Sequence, residues 1–295
     1  MGQVLKEMYG PLFKELLGVS HAAAKIDETQ VYQEANQETR KYMDVLARDN
    51  ILPGSGLAGV ENFKAFYDAI TKEGKSGLIL MEHYSNMDLP ELFYLCDEHG
   101  EEWASDFSKR IVAVAGMKLN EDNPAVRAFA ESFTRVVIYP TRSLDAVESK
   151  NISDEEKQAE EQRARKINFA AMRAMDKCKK DGQAILVFPS GTRYRPGKPE
   201  TKRGLREIDS YLRLFDVMIL ISIKGNILTI NPECPDDMLA DIMDQDTIIM
   251  EASPVMDCKK FRKEVLDSLP ADEPDPKQKT IDKIMELLEK QHNAM

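Results

Sequence analysis

Gly77-Leu-Ile-Leu-Met-Glu-His-Tyr-Ser-Asn-Met-Asp-Leu-Pro-Glu-Leu-Phe-Tyr-Leu95 is an apolar run that ends on a histidine, with an aspartate five residues later. Leu78–Met81 reads as a short buried strand. Pro90 is tolerated only in the first turn of a helix, so the segment from about Asp88 onward reads as helical. His83 and Asp88 then face each other across a strand-to-helix turn. A carboxylate in that place bonds one imidazole nitrogen, fixes the tautomer and leaves the other nitrogen free to accept a proton. A histidine and an aspartate five apart are by themselves more often structural than catalytic, so the weight falls on what the neighbouring strand ends bring.

Working outward, strands alternate with helices from Gly77 on, the grammar of an α/β layer structure. Ile111–Val114, Arg135–Tyr139, Ala184–Phe188, Val217–Ile223, Ile227–Ile230 and Ile248–Glu251 read as further strands. Pro124–Phe133 reads as a helix. Ser153-Asp-Glu-Glu156 has the spacing of a capping box and starts a helix that runs to Lys180. The terminal stretch Thr280–Gln291 sets Ile281, Ile284, Met285, Leu287 and Leu288 on one face and is expected to pack on the domain. Residues 1–75 show helical spacing over Val4–Leu17, Glu28–Arg48 and Val60–Lys72, with no strand pattern. The expected architecture is therefore α/β: a mixed central sheet of about seven or more strands flanked by helices over 76–295, preceded by a small helical N-terminal subdomain over 1–75.

Composition narrows the function. The 295 residues are 42% hydrophobic, ample for a core, and carry 40 Lys plus Arg against 51 Asp plus Glu, a net charge of −11. That balance excludes bulk nucleic acid as the main partner. The apolar stretches fall far short of the ~18 residues needed to span a bilayer, and the N-terminus has no continuous hydrophobic core, so a cytoplasmic or stroma-like soluble compartment is expected. Cys96, Cys178, Cys234 and Cys258 are widely spaced with no CxxC pair, and are expected as buried free thiols. No cluster of oxygen ligands marks a metal site.

Two more strand ends carry chemistry. After Ala184–Phe188 comes Pro189-Ser-Gly-Thr-Arg-Tyr-Arg-Pro196. Gly191 permits close backbone approach, Ser190 and Thr192 supply polar groups, and Arg193 with Arg195 present guanidinium forks suited to phosphate oxygens. Lys118 lies just past the second strand, Arg142 just past the third, and Lys202 with Arg203 ahead of Gly204. In so acidic a chain, cations gathered at successive strand ends point to a binding pocket for an anion.

His83-Tyr-Ser-Asn-Met-Asp88 resembles the HxxxxD motif of the glycerolipid acyltransferases, and Phe188-Pro-Ser-Gly-Thr-Arg193 resembles their FPxGTR motif. Arg142 is similar to the arginine that ends the family's intermediate block, and Lys202-Arg-Gly204 to its later basic-Gly element. The resemblance spans about residues 75–225. The chain departs from the pattern at Glu82, where the family usually has Asn, and at Ser190, where membrane-bound members usually have Glu. It also lacks the proline-rich fourth block in Val217–Ile223. Pro189-Ser-Gly-Thr-Arg-Tyr-Arg-Pro196 is most similar to the corresponding segment of the soluble, plastid-type glycerol-3-phosphate acyltransferases.

The resemblance implies transfer of a fatty acyl group from an acyl carrier protein or coenzyme A thioester to the 1-hydroxyl of glycerol 3-phosphate, giving lysophosphatidate. His83 would be the general base and Asp88 its orienting carboxylate. Arg193, Arg195, Lys118 and Arg142 would hold the phosphate, supported by Ser190, Gly191, Thr192 and Lys202. Attack would be direct, with no acyl-enzyme, no metal and no cofactor beyond the acyl donor. The same catalytic pair serves acylation of lysophosphatidate at its second hydroxyl, and a non-catalytic protein holding a lipid phosphate or an acyl carrier is the alternative outside enzymes. The amphiphilic product is compatible with peripheral membrane contact.

Overall fold

The computed structural model describes residues 2–121, 123–140 and 153–295. Twelve strands appear among them. In chain order they are β1 (Gln3–Val4), β2 (Tyr32–Gln33), β3 (Gly56–Ala58), β4 (Gly77–Met81), β5 (Ile111–Gly116) and β6 (Arg135–Ile138). The rest are β7 (Ala184–Val187), β8 (Val217–Lys224), β9 (Leu228–Thr229), β10 (Ile242–Met243), β11 (Ile249–Ala252) and β12 (Met256–Asp257). With helices between them and both parallel and antiparallel pairing, the chain is a mixed α/β protein. It folds as two compact units.

Of the described residues, the first unit holds 2–9, 44–111 and 182–295. Its strands run in the order β7-β4-β8-β11-β3, with β12 also on β8. β4 is parallel to both neighbours, Leu80 lying opposite Val187 on one side and Leu220 on the other. A strand hydrogen-bonded on both edges and covered on both faces has no use for polar alternation, and all five residues of β4 are buried. Gly77 opens it because a Cβ there would come within 2.6 Å of Ile70 and Phe66. Phe63 and Phe66 meet Phe107 edge-on, with ring centroids 6.2 and 6.1 Å away, and close this part of the core.

β8 is antiparallel to β11 and is covered by the helix Pro276–Ala294, which buries Ile281, Ile284 and Leu288. The expected packing of that terminal helix is observed. Asp275 caps it by accepting from the Gln278 amide at 3.2 Å, with Pro276 in the first turn.

Of the described residues, the second unit holds 10–43, 112–121, 123–140 and 153–181. Its sheet order is β2-β6-β5, β6 parallel to β5 and antiparallel to β2. The long helix Asp154–Lys180 begins with the expected capping box. Ser153 Oγ accepts from the Glu156 amide at 3.2 Å, while Glu156 accepts from the Ser153 amide at 2.9 Å.

Three sequence expectations change. Residues 1–75 do contain strands, β1 to β3, each only two or three residues long and so too short to leave an alternating pattern. The helix read over Glu28–Arg48 starts at Gln37, because Asp27 closes a turn on Thr29 and β2 follows. The strand read over Ile227–Ile230 is the two-residue β9, which pairs with β10 in a separate antiparallel sheet completed by β1.

Candidate active site

The site lies in the first unit, where β4 and β7 deliver their following loops. Asp88 opens the helix Asp88–Glu98 as expected from Pro90 and is almost fully buried. Its carboxylate contacts His83 Nδ1 at 2.8 Å and accepts from the Tyr84 amide at 2.7 Å, the Ser85 amide at 3.0 Å and Ser85 Oγ at 3.0 Å. These donors satisfy a buried negative charge, so Asp88 serves as a fixed acceptor. With Nδ1–H donating to it, the second ring nitrogen, Nε2, is the one left to accept a proton.

The loop after β7 is built against this pair. The His83 ring stacks on Phe188, centroids 3.9 Å apart and planes 18° from parallel. The Tyr194 amide donates to the His83 carbonyl at 2.7 Å. Gly191 sits at φ +62°, where a Cβ would come within 2.4 Å of Leu205, so the turn demands glycine on two counts. Ser190 Oγ donates to the Thr192 carbonyl at 2.7 Å and ties the loop to itself.

The cations divide by environment. Arg193 is buried and ion-paired through Nη1 with the fully buried Asp241. Burial pushes the Asp241 carboxyl above its ordinary range, and the Arg193 guanidinium opposes that rise. Removing one partner of such a pair strands the other charge, at a cost of about 3–5 kcal/mol. Arg195 is more open: its side chain is 29% exposed and reaches the exposed Asp236 at 3.1 Å. Lys202 Nζ, with its side chain 33% exposed, stands 5.3 Å from the Tyr194 ring centroid, 6.0 Å from that of Tyr84 and 3.9 Å from Glu289. Gly204 follows because the terminal helix presses on it; a Cβ there would fall 2.4 Å from Ile281. Lys118 lies in the second unit, exposed at the start of a short helix after β5. Arg142 lies outside the described residues.

The structure adds Tyr84 and His292, to which no site role attached in sequence, and gives Glu82 its partners. Glu82, directly before His83, is buried; one of its oxygens accepts from the Ile223 amide at 2.8 Å and pairs with His292 Nδ1 at 3.0 Å. Tyr84 Oη donates to the other at 3.2 Å, and the Tyr84 ring stacks on His292. Burial raises the Glu82 carboxyl, with the Ile223 amide and His292 holding it back. The Tyr84 phenol is raised as well, by burial and by Glu82. Glu82 was visible as a departure from the motif, whereas His292 sits about two hundred residues on and carries no local signal.

Among the described residues no group of three or more His, Cys, Asp or Glu converges as a metal site, and no helix is long and apolar enough to cross a membrane. No family model matches the chain, and no curated protein sequence matches it. Among solved structures it is similar to the 1-acyl-sn-glycerophosphate (LPA) acyltransferase PlsC from Thermotoga maritima, at 14% identity and a TM-score of 0.43, over 96% of this chain and 88% of that one.

Proposed function

We propose that the chain is a glycerolipid acyltransferase that moves a fatty acyl group from an acyl carrier protein or coenzyme A thioester to the 1-hydroxyl of glycerol 3-phosphate. The observation that carries this reading is the His83–Asp88 pair. It sits at the end of a fully buried central strand, joined at 2.8 Å, with the carboxylate saturated by donors and the ring held against the loop that bears the arginines.

In the reaction, His83 Nε2 takes the hydroxyl proton as the oxygen attacks the thioester carbonyl carbon. The imidazolium that forms is stabilised by Asp88; as the carbon–sulfur bond breaks, Nε2 gives the proton to the departing sulfur, which releases the thiol and restores the neutral base. The acceptor's own oxygen is the nucleophile, so no side chain need carry the acyl group. Arg195, partly exposed, and Lys202, partly exposed beside the Tyr84 and Tyr194 rings, supply positive charge for the phosphate. Arg193, already committed to Asp241, braces the loop that presents them. Fixing the acceptor beside the base makes the step effectively intramolecular, an effect that supplies up to about 7–11 kcal/mol of the barrier.

The test is thiol release from palmitoyl-coenzyme A and palmitoyl-carrier protein, with glycerol 3-phosphate and lysophosphatidate as rival acceptors. Turnover with glycerol 3-phosphate is expected, and His83→Ala should lower kcat by ~10²–10⁴ with little change in acceptor KM. Turnover with lysophosphatidate alone would reassign the acceptor. No turnover with any pair, or full turnover in His83→Ala, would sink the reading.

A further inference from the structure

The helix Asp154–Lys180 in the second unit holds its inner face firmly. Ala164, Ile167, Ala171, Met175 and Cys178 are buried, and Asn168 exchanges two hydrogen bonds with the Tyr139 backbone, at 2.8 and 3.0 Å. Its outward face is thereby fixed as well. On that face Phe169 is 63% exposed and Met172 56%, the two most exposed large apolar side chains among the described residues, one helical turn apart.

The surrounding charge is one-sided. Residues 165–180 carry six Lys or Arg against one acid, Asp176, in a chain whose net charge is −11. Basic residues toward a helix C-terminus complement its dipole, and the acidic first turn complements the other end, so the charge gradient alone has an ordinary explanation. That explanation does not extend to a phenylalanine and a methionine set in the middle of the cations. Arg165, Lys166 and Arg173 lie within about one helical turn of Phe169, with the Arg173 guanidinium carbon 6.0 Å from its ring centroid; Arg165 also reaches Glu161 at 3.3 Å, and Asp176, one turn beyond Met172, pairs with Lys179 at 3.3 Å and Lys180 at 2.8 Å.

We propose that this outward face, from Arg165 to Lys180, docks on the surface of an anionic lipid bilayer. It extends about 22 Å along the helix axis, enough to meet several headgroups. Phe169 and Met172, 63% and 56% exposed, stand out from the helix; a headgroup layer yields around such side chains, whereas a folded protein would need a matching hollow. The cations supply attraction to anionic headgroups while their alkyl stems lie beside the apolar pair. This proposal stands apart from the acyl-transfer reading, and its test contains no turnover.

The 295-residue chain is co-sedimented at low salt with unilamellar vesicles of phosphatidylcholine alone, or with a quarter phosphatidylglycerol. Binding to the anionic vesicles is expected, weaker by about tenfold or more on the neutral ones and at high salt. The double variant Phe169→Ser with Met172→Ser should weaken anionic binding about tenfold, and Arg165→Gln with Arg173→Gln by a similar factor. Circular dichroism and Tm check that each variant folds, and the charge-neutralising pair keeps the test open if the apolar pair does not. No binding to anionic vesicles, equal binding to both kinds, or binding untouched by the variants overturns the proposal. Capture by an immobilised acidic acyl carrier protein without vesicle binding would do so as well, moving the face to a protein partner.

Discussion

Glu91 lies one helical turn beyond Asp88 and is fully enclosed, with the Ile227 amide as the one group that favours its charged form. Burial, with the Asp88 charge adding to it, pushes this carboxyl well above the ordinary glutamate value of 4.5. Between that value and the raised one, the folded chain keeps a proton that the unfolded chain has lost. Stability therefore falls as pH rises through the window and is regained as pH drops toward 4.5. Glu91→Gln removes the titration, so its Tm minus that of the parent should grow between about pH 5 and pH 8, read by scanning calorimetry. A difference independent of pH would show that Glu91 does not titrate there. At this scale the sequence was informative where chemistry is local: Pro90 placed Asp88 at a helix start, and one turn then aimed it at His83. Arg193 pairs with Asp241 and Glu82 with His292, whose nearness depends on how the segment leading into β10 and the terminal helix pack, which no short window shows.

The terminal helix Pro276–Ala294 is the element that ties the site together. It covers β8, presses on Gly204, accepts from Ser222 Oγ at the Leu288 carbonyl and reaches Glu82 through His292. His292→Ala should cost about 1–3 kcal/mol in chemical denaturation, because it removes a donor from a buried carboxylate. Adding Glu82→Gln should recover part of that loss, since the charge needing the donor is then gone. Simply additive costs in the double-variant cycle would show that the two side chains are not coupled. Elements with strong periodicity or caps were readable beforehand, as with the capping box at Ser153 and the buried run of β4. Strands of two or three residues were not, because so short a segment is set by the backbone groups its neighbours offer.

For the molecule as a whole, thiol reactivity reports which parts are closed. Cys96, Cys178 and Cys258 are buried and Cys234 is exposed, so the expectation of uniformly buried thiols fails at Cys234, which lies in the loop between β9 and β10. Burial pushes the Cys178 thiol up to about 11 and that of Cys258 to about 12. Native protein at pH 8 should accordingly give one fast-reacting thiol with an aromatic disulfide reagent, and all four cysteines in denaturant. Two or more fast thiols in the native state would mean that a core described as closed opens readily. The alternation of strands and helices revealed the α/β class; the division into two units followed from which distant segments pair. β4 illustrates that dependence. Both of its neighbours come from more than a hundred residues further along, β7 on one edge and β8 on the other. Loops of that length must close before either ladder repays their entropy, so β4 is completed late on the way to the native state. His83 hangs from the end of this strand, and a refolding chain accordingly acquires much of its helix before it acquires a base in working position.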